Sequence, residues 1–264
     1  MTITADLVGT GSRQPSALRQ WAALTERQVR TMVLRGDLVI SLIAPLIFTV
    51  GFYLPLKFVM KLQGIDYAQF VMAIIVLQTM AFTMNASAAL AALEAVTGFT
   101  DRLRTMPLPK LVPLASRVSS GLFRSVVTLT AAIAYGYVIG FRLSGGIGQT
   151  VLFCGFALGV GTVLSIGADA LGMLSKSPQA VSQALTLPTL IFGMLSCGFV
   201  PETGFPSWIR PFVRNQPVSQ FSYALRDLTD DGVSWHVIWP GLAWLGGLAL
   251  VLTPLAIWAS ARRE

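Results

Sequence analysis

Six stretches of this chain contain no Asp, Glu, Lys or Arg and are dominated by apolar residues: Leu38 to Leu56, Tyr67 to Leu93, Ser125 to Phe141, Leu143 to Ala168, Ser177 to Pro201 and Val237 to Ala261. A hydrocarbon core about 30 Å thick is crossed by about 20 helical residues. Each run is therefore long enough to span, the third once it begins near Val118 and takes in Arg124. The expectation is an all-α membrane protein with six transmembrane helices, at about 38–58, 67–93, 117–141, 149–174, 178–200 and 237–260. Composition agrees: 12% of residues are charged, where a soluble domain carries about 25%. Pro45, Pro55 and Pro188 predict kinks within spans, since neighbouring groups in a membrane helix take up the freed carbonyls.

Charge sets the orientation. With the N-terminus inside, thirteen of the 19 Lys and Arg residues fall on the inner side and six (Lys57, Lys61, Arg142, Arg210, Arg214 and Arg226) on the outer. Short basic loops stay cytoplasmic, so both termini are expected there, in a multi-pass protein of the plasma membrane. The net charge of +7 suits anionic lipid headgroups, and no nucleic-acid motif accompanies it. Residues 1–15 lack the apolar core of a signal peptide and are expected to be a flexible tail. Cys154 and Cys197 lie inside apolar runs and are expected to be small buried hydrophobes.

Three connecting segments have patterns of their own. In 16–36, Leu18, Trp21, Ala22, Thr25, Val29, Met32 and Val33 recur at helical spacing, with Arg19, Arg27 and Arg30 on the far side. This is an amphipathic helix along the inner membrane face, either a plain anchor or an elbow that carries force from a partner. The inner loop 94–114 sets Asp101, Arg102, Arg104 and Lys110 among Leu103, Met106, Leu108 and Leu111, and Pro107 ends any helix there. It reads equally as a docking element and as a basic turn at the headgroups. The outer segment 201–234 is too apolar for a free loop and too interrupted to span. It reads as half-helices dipping into the outer leaflet or as an aromatic belt, with Phe205, Trp208 and Phe212 ahead of Asn215 and Gln216.

Motifs for chemistry are scarce. There is no Gly-x-x-x-x-Gly-Lys-Ser/Thr, so ATP and magnesium would belong to another subunit and this chain itself holds no cofactor. The single histidine, His236, excludes His-x-x-x-His zinc pairs and stands beside Trp235 and Trp239 as an interfacial residue. No nucleophile, base or metal constellation supports an intramembrane enzyme. Arg124 and Asp169 are charges inside spans; counted inward from Arg117 and Lys176 they share a depth, which predicts an Arg124–Asp169 ion pair. A proton-coupled transporter would need further acids at the midplane, and remains the alternative function. Met80 and Met84 on span two, Phe192 and Met194 on span five, and Phe48 and Phe52 on span one are candidates for a greasy substrate path or for ordinary packing.

Together these features resemble the permeases of type-2 ABC exporters. Arg102-Leu103-Arg104-Thr105-Met106-Pro107-Leu108 is similar to that family's coupling loop. Phe205-Pro206-Ser207-Trp208-Ile209-Arg210-Pro211-Phe212 and Asn215-Gln216-Pro217-Val218-Ser219 are similar to the outer re-entrant region of daunorubicin-resistance permeases. Within these the likeness is greatest to mycobacterial members whose relatives export phthiocerol dimycocerosate-type lipids. The resemblance implies a permease paired with a second permease, identical or related, and with two cytoplasmic ABC ATPases. Its cargo would be a hydrophobic lipid or amphipathic drug. ATPase coupling would fall on Asp101, Arg102, Leu103, Arg104, Thr105 and Met106, with Trp21, Arg27 and Arg30 on the elbow.

Overall fold

The structure is a computed structural model and describes residues 16–62, 64, 66–99, 105, 109, 111–229 and 233–262. Every regular element among them is helical, and five helical stretches are long and apolar enough to cross a membrane: Asp37–Leu62, Tyr67–Val96, Val112–Ile139, Gly146–Leu174 and Trp235–Ser260.

The chain enters through α1 (Ala17–Leu34), which ends at Gly36 in the left-handed conformation, φ 75°. Glycine has no Cβ to clash there, so the chain turns sharply into α2 (Asp37–Phe48). The first long stretch then passes through a π-helical turn, Thr49–Tyr53, into α3 (Leu54–Leu62). The expected proline distortions account for this turn. Pro45 lies inside α2, Pro55 stands two residues after the end of the turn, and neither offers an N–H to the carbonyl one turn earlier. The Thr49 hydroxyl donates to the Pro45 carbonyl at 2.7 Å.

Helix α4 (Tyr67–Val96) is the hub, capped by the Asp66 carboxylate, which accepts from the Ala68 N–H at 3.1 Å. It packs on α2, on α5 (Val112–Ile139), on α6 (Gly146–Leu174) and on α7 (Pro178–Met194). Val71, Met72, Ile74, Ile75 and Val76 are fully buried in it, against Phe141, Phe153 and Val160. Towards its C-terminal end the buried residues shrink to Ala88, Ala91 and Ala92. There α4 and α6 approach so closely that a Cβ on Gly172 would overlap the Ala88 carbonyl oxygen and lie 2.9 Å from the Ala91 Cβ. The Gly136-x-x-x-Gly140 and Gly155-x-x-x-Gly159 pairs on α5 and α6 contribute less: of these four only Gly136 is tight, beneath Met72, while Gly155 faces open space. A tight turn closes α5 and α6 into a hairpin, with Gly140 at φ 106° ending α5.

Of the six expected spans, five match the long apolar stretches, and the one at 178–200 is not among them. Helix α7 has 17 residues, about 26 Å, and the chain then turns through residues 195–200. It continues through a 3-10 turn (Glu202–Gly204), α8 (Arg210–Asn215) and α9 (Pro217–Asp227) before α10 (Trp235–Arg262). Both cysteines are free; Cys197 is buried and Cys154 partly so. His236 is exposed beside Trp235 and Trp239.

Candidate functional site

At the end of the bundle where α1 lies, charged groups from four elements meet. Arg117 on α5 donates through Nε to both carboxylate oxygens of Asp169 on α6, at 3.1 and 3.0 Å. Its other arm lies 4.0 Å from Glu94 on α4, and Arg27 on α1 lies 3.8 Å from the second Glu94 oxygen. The Arg27 guanidinium also sits 3.8 Å above the Phe99 ring. Alongside, the Ser120 hydroxyl donates to the buried Gln28 side chain at 2.6 Å, and the Trp21 indole N–H donates to Ser119 at 3.1 Å. Glu94 thereby ties the amphipathic helix to the bundle, and a cleft of about 230 Å³ opens between α1 and the end of α4, lined by Arg27, Gln28, Thr31, Met32, Glu94 and Phe99.

This corrects the expected Arg124–Asp169 pair. Arg124 instead faces Asp37 at 3.9 Å, at the start of α2. The reason lies in where depth is counted from. Measured from the closed end of the α5–α6 hairpin, Asp169 is about 35 Å along α6, Arg117 about 33 Å along α5 and Arg124 only about 23 Å. The loop charges from which depth was counted inward do not sit level with each other. Arg117 was the residue missed, and counting from the hairpin turn would have found it.

Of the expected coupling residues, Asp101, Arg102, Leu103, Arg104 and Met106 lie outside the described residues, and Thr105 is exposed in a turn. Arg30 is exposed, while Trp21 and Arg27 hold α1 to the bundle. The buried stripe of α1 differs from the expected apolar face. It runs through Gln28 and Met32, whereas Leu18 and Val33 point outward, where they suit a lipid surface.

The segment between α7 and α10 is held by polar side chains that satisfy carbonyls. Gln216 is buried, and its amide donates to the carbonyls of Phe192 and Leu195, closing the end of α7. Arg226 on α9, counted from the sequence as an outer charge, turns inward. It donates to the carbonyls of Phe70, Cys197 and Gly198 at 2.9, 2.9 and 2.6 Å, over the Phe70 ring. Burial pushes its pKa down to about 10, with Tyr223 acting against the shift, so it stays charged at neutral pH. The Asn215 carbonyl accepts from the Trp244 indole at 3.1 Å. Phe212 is half exposed and stands 6.4 Å from Phe192, Trp208 is fully presented to the surroundings, and Phe205 is partly covered.

Two open-sided grooves flank α7. The larger, about 400 Å³, lies between the first stretch, α4 and α7, lined by Phe48, Phe82, Asn85, Ser182, Thr186 and Leu190. The second, about 260 Å³, lies among α4, α6, α7, α9 and α10, lined by Leu77, Met84, Val160, Pro188, Phe192 and Phe221. Gln78 and Thr189 border both. The candidate path residues therefore divide. Phe48 lines the first groove, Met84 and Phe192 the second, and Phe52 stacks on Phe199 at 4.0 Å. Met194 is exposed at the end of α7, and Met80 is fully buried under Gly161, so neither lines a groove.

A family model, the ABC-2 type transporter, matches residues 19–229, from α1 through α9. The chain belongs to the ABC-2 type transporter family. It is 36% identical to the doxorubicin resistance ABC transporter permease protein DrrB of Mycobacterium tuberculosis, over all of this chain and 96% of that protein. It is 28% identical over 161 residues to the probable doxorubicin resistance permease DrrC of the same organism, covering 61% of this chain and 58% of that protein. The daunorubicin resistance permease DrrB1 of Streptomyces coeruleorubidus is 29% identical over 61% of this chain and 56% of its own length. Within this family frame the charged junction and nearly all the groove lining fall in the matched region. Among the described residues no group of three or more His, Cys, Asp and Glu is placed to hold a metal.

Proposed function

We propose that this chain is the membrane subunit of an ATP-driven exporter, working with two copies of a cytoplasmic ABC ATPase and a second permease, identical or related. The observation that carries the reading is the Arg27–Glu94–Arg117–Asp169 junction. It links α1 and the entry to the 94–114 loop with two long helices, in a chain without a nucleotide-binding motif. A push by the ATPase on 101–106 and on α1, acting as an elbow, would reach α4, α5 and α6 through these charges. In this reading both termini are cytoplasmic, α7 and the turn after it form the fifth of six spans, and α8 and α9 are half-helices in the outer leaflet.

The cargo is a hydrophobic lipid or an amphipathic drug, moved outward along the grooves beside α7. The drug reading is supported by relatives named for doxorubicin and daunorubicin resistance. The lipid reading rests on the apolar lining alone. The test is reconstitution with a Walker-motif ATPase and measurement of ATP-dependent doxorubicin transport into inverted vesicles. Arg104→Glu or Leu103→Asp should abolish transport while ATP hydrolysis and membrane insertion persist; unchanged transport would refute the coupling assignment.

A further inference from the structure

Gln78 lies about 17 Å along α4 from its outer end, close to the middle of a bilayer. It is 6% exposed, and among the described residues its amide has no hydrogen-bond partner. The buried hydroxyls around it behave differently. Thr79 and Thr83 donate back to the Ile75 and Met80 carbonyls at 2.6 and 2.7 Å. An unpaired amide in hydrocarbon is costly, and a leucine there would avoid that cost.

The amide is also given room. Gly193 on α7 faces it, and a Cβ at that position would lie 3.1 Å from Nε2 and 3.2 Å from Oε1. Gln78 and Thr189 are the border shared by the two grooves. The two overlap along α4 between Gln78 and Met84; beyond that stretch the first groove continues toward the inner ends, along Asn85, Ala89 and Ser182, and the second continues toward the outer ends, along Phe192 and Phe221. Asn85, two turns further in on α4, also has a side-chain oxygen without a partner among the described residues. The inner-half groove thus offers amides and hydroxyls in an apolar wall, and the outer-half groove is almost wholly apolar.

We infer that Gln78 is a specificity-determining residue that hydrogen-bonds cargo as it passes around α7 from the inner-half groove to the outer-half groove. The class of cargo it selects is an apolar body carrying hydroxyl or carbonyl oxygens, in preference to a plain hydrocarbon of similar size. This rests on the grooves being the cargo path of the proposed exporter.

The test needs no ATPase. The purified permease in nanodiscs is titrated with doxorubicin, a polycycle bearing hydroxyls and carbonyls, and with pyrene, a bare aromatic hydrocarbon. Gln78→Leu should raise the doxorubicin Kd about tenfold, the loss of one hydrogen bond to a buried group, and leave the pyrene Kd unchanged. Its thermal midpoint should match or exceed that of the wild type, because an unpaired amide has been removed. Gly193→Ala, which crowds the amide without deleting it, should likewise weaken doxorubicin more than pyrene. Equal losses for both probes, a lowered midpoint in Gln78→Leu, or no doxorubicin binding by the wild type would each overturn the inference. Selective binding by a chain that exports nothing with its ATPase would overturn the exporter reading and leave Gln78's role standing.

Discussion

Replacing Asp169 by asparagine removes one charge from a contact whose two side chains are 6% and 8% exposed. Breaking a buried pair by neutralising one partner costs about 3–5 kcal/mol, because the other charge is left uncompensated. Glu94, 4.0 Å from the other arm of Arg117, shields part of that charge, which places the expected loss near the lower end, about 3 kcal/mol. For a chain of this size that lowers the thermal midpoint by about 6–12 °C. The assay is thermal unfolding in nanodiscs, run as a cycle with Arg117→Met, Asp169→Leu and the double variant. Each single change should cost about 3 kcal/mol, and the double change well short of their sum, since it leaves no orphaned charge between α5 and α6. Arg124→Met is the control. Its partner Asp37 is 3.9 Å away and about a third exposed, so the loss should be about 1 kcal/mol. An Arg124 variant as damaging as the Arg117 variant, or a silent Asp169→Asn, would refute the assignment of Arg117 as the partner.

Three further changes probe the frame. Gly172→Ala drives a methyl into the Ala88 carbonyl; backbone cannot swing aside, so it should cost about 3 kcal/mol, read as loss of monodisperse protein on heating, whereas Gly155→Ala, facing open space, should be neutral. Arg226→Lys keeps the charge but loses the planar fork that reaches three carbonyls. It should destabilise the segment between α7 and α10 by about 2–3 kcal/mol and speed hydrogen exchange around Cys197 and Gly198. Trp21→Phe deletes the bond to Ser119 at a cost of about 1 kcal/mol, and limited proteolysis should then cut α1 faster while the remaining helices stay protected.

Much of this was legible from residue types alone. Long runs without charge leave the backbone of a membrane segment no option but helix, which is why the stretches beginning at Asp37, Tyr67, Val112, Gly146 and Trp235 fall where the apolar runs do. The α1 helix was legible from periodicity, yet its inward face was not, because the polar Gln28 is buried there through a partner 92 positions away. Met80 and Met84 are one turn apart and look alike in sequence. Only packing sends the first into the core beneath Gly161 and the second to a groove.

The sequence by itself determined that the chain is helical and membrane-embedded and carries no P-loop motif, because those follow from apolar length and from short patterns, which are local. Tertiary structure decided which charges pair, where α7 ends and that the Gln78 amide lacks a partner among the described residues. Helix stagger, the Gly193 gap facing Gln78 and the reach of Arg226 across to Phe70 and Cys197 are relations between distant segments. No pattern along a single helix encodes them.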